Sequence, residues 1–85
     1  MFFVYFLQSV KDKKLYIGYT NDLRNRIKEH NLGFVRSTKL RKPLKLIYYE
    51  AYVSKQDAKA RENNLKLRAK ALKQLKSRIK DCFKA

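Results

Sequence analysis

The sequence predicts an α/β protein of the α+β type: a three-stranded, mainly antiparallel sheet flanked by helices, in the order ββαβαα. Two observations support this. Three apolar runs rich in aromatic and β-branched residues indicate strands, and capping residues followed by apolar side chains three and four apart indicate three helices. Since 85 residues can bury only one modest core, we expect a single domain over residues 1–85.

The strands are predicted from the apolar runs. Phe2–Ser9 is continuously apolar, as is typical of a buried strand, and a short polar connection joins it in a hairpin to Leu15–Thr20. Pro43, the only proline, precedes a third run, LKLIYYEAYV, at positions 44–53. The three runs are sufficient for one small sheet.

The first helix is predicted to follow the hairpin. Thr20 or Asn21 can cap it, with Asp22 in the first turn, where the helix dipole favours an anion. Its inward stripe is formed by Leu23 and Ile27. The hairpin and this helix therefore form one continuous unit.

Two more helices are predicted in the second half of the chain. Gly33 ends the first helix as a left-handed stop, and a capping box beginning at Ser54 opens the second, which runs to about Arg68. The last amphipathic helix is marked by Leu72, Leu75, Ile79 and Phe83.

The net charge of +15, from 22 Lys and Arg against 7 Asp and Glu, predicts a polyanionic partner. The excess is spread over both halves of the chain, which favours nucleic acid, DNA first and RNA as the alternative. No basic amphipathic helix with bulky aromatics suggests a membrane surface, and no apolar run is long enough to span a bilayer. A single cysteine excludes an internal disulfide, so we expect a cytoplasmic protein.

Three residues of the hairpin are candidates for a site. Tyr16 and Gly18 share one strand face, and a pairing of Tyr5 with Tyr16 would place two phenols side by side. Gly18 would then leave a gap in which a ligand can approach. Alone, these residues are better explained as two core tyrosines and a bulge glycine.

Three charged or titratable residues extend the candidate site. Arg26 and His30 lie four apart on one helix face, and Arg26 can point back toward the tyrosines or form an ordinary ion pair with Asp22 or Glu29. Glu62 is a rare carboxylate in a basic segment. It either pairs with a nearby cation or brings Mg²⁺ to a phosphodiester.

In combination, these residues resemble the GIY-YIG nuclease superfamily, in particular its small stand-alone bacterial, excinuclease-subunit-like members. The resemblance covers nearly the whole chain. It comprises Val4-Tyr5-Phe6 at the first motif, Tyr16-Ile17-Gly18 at the second, Tyr19 to Leu23, Arg26, Glu29 to Asn31, Gly33, Thr38, Pro43, Tyr49-Glu50 and the helix from Ala60 to Lys66 with Glu62.

The resemblance implies a divalent-metal-dependent endonuclease that hydrolyses DNA in repair or recombination. Glu62 would hold one Mg²⁺ or Mn²⁺ ion, Arg26 would stabilise charge on the phosphate, and Tyr5 would take a proton from water and pass it to His30, while Tyr16 orients the water. An unperturbed phenol has a pKa near 10, so this role requires the arginine and the metal to lower the pKa of Tyr5.

The basic residues predict how the nucleic acid is held. We expect backbone or shape recognition, since no helix presents side chains suited to reading bases. The predicted nucleic-acid contacts are Gly18, Lys39, Arg41, Lys42, Lys70 and Lys73.

The sequence departs from the family pattern in ways that keep alternatives open. The first motif reads VYF, and Gln74 and Ser77 stand where many relatives have an asparagine. We expect no second DNA-binding domain of the kind that family nucleases usually carry. The alternatives are a weakly catalytic or non-catalytic module that binds RNA or branched DNA, and an accessory subunit acting through a protein partner or a second copy of the chain.

Overall fold

The computed structural model describes residues 1–84 and confirms the predicted order of elements. The strands are β1 (Phe2–Ser9), β2 (Leu15–Thr20) and β3 (Leu44–Tyr52). The helices are α1 (Leu23–Asn31), α2 (Lys55–Leu67) and α3 (Ala69–Arg78), with 3₁₀ turns at Lys39–Arg41 and Lys80–Phe83. In residues 1–84, no helix has the length and apolar character needed to cross a bilayer.

Strand β1 lies in the middle of the sheet, whose order is β2-β1-β3 with both pairings antiparallel. Its central residues, Val4 to Leu7, are completely buried, because helices cover both faces of the sheet. A strand enclosed in this way has no polar face, which explains the continuous apolar run in the sequence.

The two sheet faces pack against different helices. One face is covered by α2 and α3, through a cluster of Val4, Phe6, Ala58, Leu65 and Leu75. The other face is covered by α1, through Tyr5, Leu7 and Leu44 with Leu23 and Ile27 packed against them. The first-helix stripe is therefore confirmed, and it covers the face that carries Tyr5.

The start of α1 differs from the prediction. Asp22 is the cap, and its side chain accepts a hydrogen bond from the Asn25 amide at 3.2 Å. Thr20 is unavailable for this role because its hydroxyl oxygen accepts from the Asp22 amide at 3.1 Å. The prediction of Thr20 or Asn21 as the cap was wrong, whereas the stop at Gly33 is confirmed by a φ of 81°.

The second half of the chain agrees with the prediction except at its end. The Ser54 side chain caps α2 by accepting from the Asp57 amide at 3.2 Å. Helix α3 stops at Arg78, and Ile79 begins a 3₁₀ turn that contains Phe83. Ile79 still packs against the core cluster, so the predicted apolar stripe extends one residue beyond the helix, and the predicted helix over Phe83 is wrong.

Candidate active site

The hairpin register places Tyr5 opposite Gly18 and Tyr16 opposite Leu7. The pairing of Tyr5 with Tyr16 considered from the sequence is therefore wrong by two residues. The space above Gly18 is not open either, because the Tyr5 ring and hydroxyl fill it, and any Cβ at position 18 would collide with them. Glycine is needed at position 18 so that Tyr5 can cross the neighbouring strand.

The two tyrosines are diagonal neighbours on the sheet face beneath α1. Their ring centroids are 6.2 Å apart, and the Tyr16 ring lies 4.9 Å from the imidazole of His30. His30 also contacts the Tyr5 ring edge to face, at 5.7 Å. Three titratable rings from β1, β2 and α1 thus form one cluster.

A buried hydrogen-bonded chain runs through this cluster. The Tyr5 hydroxyl lies 2.8 Å from Nε2 of His30, and Nδ1 of His30 lies 2.7 Å from Oγ1 of Thr38. The Thr38 hydroxyl can donate to the Val35 carbonyl at 3.5 Å. With that donation, Oγ1 accepts from a protonated Nδ1, which leaves Nε2 to accept the proton of Tyr5. All three linked side chains are fully buried.

Burial keeps both members of the Tyr5–His30 pair neutral at pH 7. It raises the pKa of Tyr5 to about 12, although a hydrogen bond to Arg26 and the charge of Arg26 act in the opposite direction. Burial, assisted by the positive charge of Arg26, lowers the pKa of His30 to about 4. The protein alone therefore shifts the pKa of Tyr5 upward, the reverse of the lowering that the catalytic role was expected to require.

Arg26 lies on α1 with its guanidinium between the tyrosine cluster and an acidic neighbour. It hydrogen-bonds the Tyr5 side chain and forms an ion pair with Glu29 at 3.2 Å. It also lines a cavity of about 360 Å³ with Glu29 and Asn25. Arg26 therefore does both things considered from the sequence: it points toward the tyrosines, and it forms an ordinary ion pair with Glu29.

Glu62 on α2 approaches the same cluster from the edge of β2. Its carboxylate pairs with Lys66 at 2.9 Å, and the ammonium of Lys66 lies over the Tyr16 ring, 6.0 Å from its centre. The negative charge of Glu62 is also among the causes that raise the pKa of Tyr5. Glu62 is therefore within electrostatic reach of the Tyr5 hydroxyl.

The donor set around Glu62 suits one hard cation that retains water. In residues 1–84, no group of three or more His, Cys, Asp and Glu side chains is placed to hold a metal ion. Magnesium is commonly held by one or two carboxylates, with water and substrate phosphate completing the shell. The side chain of Glu62 is 18% exposed, so it fits this manner of binding.

The predicted nucleic-acid contacts fall into two groups. Lys39, Lys42, Lys70 and Lys73 are exposed. Arg41 is instead held against the hairpin, paired with Asp12 at 3.5 Å and donating to the Leu15 carbonyl at 3.3 Å. Gln74 and Ser77 line a different cavity, with Arg61 and Arg78.

The sequence interpretation missed a second carboxylate cluster. Glu50 on β3 accepts hydrogen bonds from Tyr48 at 2.7 Å and from Tyr52 at 2.5 Å. It also accepts from two nitrogens of the Arg61 guanidinium, at 2.9 and 3.1 Å. The signal was present in the sequence, because positions 48, 50 and 52 alternate and therefore share one face of a strand.

Comparison with known proteins identifies the class. Residues 1–80 match the GIY-YIG catalytic domain, generally a nuclease fold. The chain is 45% identical over 67 residues to the UPF0213 protein CPE1444 of Clostridium perfringens, covering 78% of this chain and 71% of that relative. It is 38% identical over 72 residues to the UPF0213 protein YazA of Bacillus subtilis, covering 84% and 73%.

A solved structure agrees with this placement. The solution NMR structure of the UPF0213 protein BH0048 from Bacillus halodurans is 38% identical, with a TM-score of 0.56, and covers 91% of this chain and 84% of that one. The chain belongs to the GIY-YIG family and, within it, to the UPF0213 proteins. The resemblance inferred from the motifs is confirmed.

Proposed function

We propose that this chain is a divalent-metal-dependent endonuclease that hydrolyses DNA phosphodiester bonds as a single domain, with repair or recombination as its setting. The observation that carries the proposal is the convergence of Tyr5, Tyr16, Arg26 and Glu62 from four different elements on one region. Glu62 pairs with Lys66, its one ion-pair partner in residues 1–84, and its carboxylate is supported as an ion ligand by its place beside the two tyrosines.

Glu62 is the residue that would hold the divalent ion. When bound, such an ion polarises the phosphate and stabilises negative charge on the leaving oxygen. In the absence of the ion, the Glu62 carboxylate pairs at 2.9 Å with the Lys66 ammonium, so a positive charge already lies beside it. The protein side of the site is thus prepared for a cation.

Arg26 supplies the fixed positive charge. Its guanidinium is held by Glu29 and the Tyr5 hydroxyl, so its direction is set before substrate arrives. A preorganised cation at this position stabilises the charge that builds on the non-bridging phosphate oxygens. The five guanidinium donors leave some free for the phosphate after both protein contacts are made.

Tyr5 and His30 move the proton. The attacking water gives a proton to the Tyr5 oxygen as the Tyr5 proton passes to Nε2 of His30, 2.8 Å away. Burial disfavours an isolated phenolate, so both transfers occur in the same step as the attack. The 3′-oxygen of the broken bond leaves and takes a proton from solvent, and His30 then returns its added proton to solvent, which restores both neutral side chains. Tyr16 orients the attacking water beside this pair.

A cleavage assay with a parallel binding assay tests the proposal. Labelled branched DNA is incubated with the native chain and with Glu62→Gln, in Mg²⁺, in Mn²⁺ and in EDTA, with RNA of the same sequence alongside. We expect cutting only with metal, none by Glu62→Gln, and binding by both. Full-rate cutting by Glu62→Gln would remove the metal assignment.

A non-catalytic nucleic-acid-binding module is the second candidate. It is favoured by one observation, the neutrality of the buried Tyr5–His30 pair at pH 7. Binding without cutting in any metal, by the native chain, would establish it in place of the nuclease.

A further inference from the structure

A cavity of about 530 Å³ adjoins the candidate active site. It lies between the hairpin turn, α2 and α3, each of which contributes one lysine: Lys13, Lys66 and Lys76. Its remaining lining is Tyr16 with the aliphatic side chains of Leu15, Ile17, Leu65 and Leu72. No carboxylate is among the lining residues within 1–84.

The lining has the chemistry of a nucleotide site. Three ammonium groups around one hollow favour phosphate, since lysine binds phosphate as a point charge. The aliphatic side chains offer a surface for a sugar or a base without the polar groups that would read base edges. The Tyr16 ring can stack on a base of any kind, as aromatic side chains do in sequence-tolerant binding.

Two residues place this cavity next to the reacting groups. Tyr16 lies 6.2 Å from the Tyr5 ring, and Lys66 pairs with Glu62 at 2.9 Å, so both belong to the cavity and to the active-site cluster. A strand whose scissile phosphate sits at the cluster would bring a neighbouring nucleotide to the cavity.

We propose that this cavity binds the nucleotide adjacent to the scissile phosphate. The phosphate of that nucleotide would contact Lys13, Lys66 and Lys76, and its sugar or base would contact the aliphatic side chains of the cavity. The assignment rests on the proposed function, because it names the next position along the same strand. The three lysines come from separate parts of the chain: Lys13 from the hairpin turn, Lys66 from α2 and Lys76 from α3.

A second cavity of the same volume, about 530 Å³, is a weaker candidate. It is lined by Arg61 and Arg78, but Arg61 is paired with Glu50 at 2.9 Å. Two arginines less the charge of Glu50 leave +1 there, whereas three lysines less the charge of Glu62, the partner of Lys66, leave +2 in the first cavity. The lining of the second cavity also lacks the tyrosines of the active-site cluster. The lysine-lined cavity is therefore the one that fits a nucleotide.

The test uses thymidine 3′,5′-bisphosphate, the full chain labelled with ¹⁵N, and no metal, so that binding is measured apart from cleavage. We expect NMR shifts of the Tyr16, Lys66 and Lys76 amides on titration. The double variant Lys13→Gln/Lys76→Gln should weaken binding about tenfold. Thymidine and pyrophosphate are titrated separately. Binding of thymidine measures the contribution of the aliphatic side chains to affinity, and binding of pyrophosphate measures that of the lysines.

The matched control is Lys11→Gln/Lys80→Gln, which removes the same charge from the same hairpin turn and from the turn after α3, outside the cavity. It should weaken binding less than about twofold. Equal losses of affinity in the two double variants would show that only the overall positive charge of the protein matters, and would overturn the proposal. The proposal would also fail if no amide shifts were seen, or if the shifts lay outside the cavity. Metal-dependent cutting can succeed or fail independently of these results.

Discussion

Glu50 and Glu62 are both half-buried glutamates beside tyrosines, yet their surroundings differ. Glu50 has all its acceptor capacity used by Tyr48, Tyr52 and Arg61, at 2.5 to 3.1 Å. Burial opposes its charge, but these hydrogen bonds hold the pKa of Glu50 below its ordinary value. Glu62, in contrast, has one ion-pair partner in residues 1–84, Lys66.

The difference separates a structural carboxylate from one that can bind a ligand. The Glu50 carboxylate connects β3 to α2 through Arg61, and every one of its acceptor positions is occupied. No acceptor position is left for an ion. A carboxylate held by one exposed lysine can exchange that partner for a cation. Glu50 and Glu62 differ in the number of hydrogen bonds that their carboxylates accept more than in how deeply they are buried.

The largest expected effect comes from exchanging each carboxylate for an amide. Glu62→Gln should reduce metal-dependent cutting to background, because the neutral amide no longer attracts the ion. Glu50→Gln should cut at close to the native rate once corrected for the folded fraction. The measurement is single-turnover cleavage of labelled DNA, and comparable rate losses in both variants would contradict the assignment.

Arg26→Ala should lower the cleavage rate about 10²–10³-fold, the usual cost of losing one preorganised donor. The control is Glu29→Gln, which removes the ion pair at 3.2 Å but keeps the guanidinium. It should change the free energy of unfolding by at most about 1 kcal/mol, since this pair is exposed. A loss of stability in Arg26→Ala with unchanged turnover would leave Arg26 only a salt-bridge role.

The two glutamate variants should rank in the opposite order when stability is measured instead of activity. Glu50→Gln is expected to lower the free energy of unfolding by about 2–3 kcal/mol, because charged hydrogen bonds from a guanidinium and two phenols are weakened. Glu62→Gln should cost less than about 1 kcal/mol, since its partner Lys66 is exposed. Urea unfolding at pH 7 measures both, and equal costs would remove the distinction.

The free energy of unfolding should fall in acid because of the buried imidazole of His30. The pKa of His30 is lowered to about 4 in the folded chain, from 6.5. Its contribution is therefore fully present above pH 6.5 and is lost as the pH falls toward 4, because only the unfolded chain then takes up a proton. Between pH 7 and 5 the loss should be about 2 kcal/mol.

Urea unfolding at the two pH values checks this, with His30→Gln as the control that should remove most of the difference. The contribution of Glu50 does not interfere, because its pKa lies below the ordinary carboxyl value and its stabilising effect is lost only at lower pH. An equal pH dependence in His30→Gln would assign the effect to other groups.

Local patterns were enough to predict much of this molecule. Alternation and continuous apolar runs located the strands, and Ser54 and Gly33 marked a helix start and a helix end. The order and spacing of Tyr16, Arg26 and Glu62 indicated the family from the sequence alone. These features depend on neighbours within a few residues or on a fixed order along the chain, so they can be read directly.

Other features could not be read from the sequence. The register that sets Tyr5 opposite Gly18 depends on the hairpin turn, and a shift of two residues keeps the same apolar face inward. Asp22 became the cap because Thr20 was already bonded to its backbone. The direction of the pKa shift of Tyr5 depended on burial beneath α1, which no local pattern contains.

The sequence by itself determined the class of protein, the order of its elements and the residue types available for chemistry, because these are properties of composition, period and spacing. The tertiary structure decided which carboxylate has all its acceptor positions occupied, where the three lysines meet and which phenol is buried. Hydrogen-bond saturation, convergence of charges and desolvation all arise between residues distant in the chain, and they exist only once the sheet and helices have packed together.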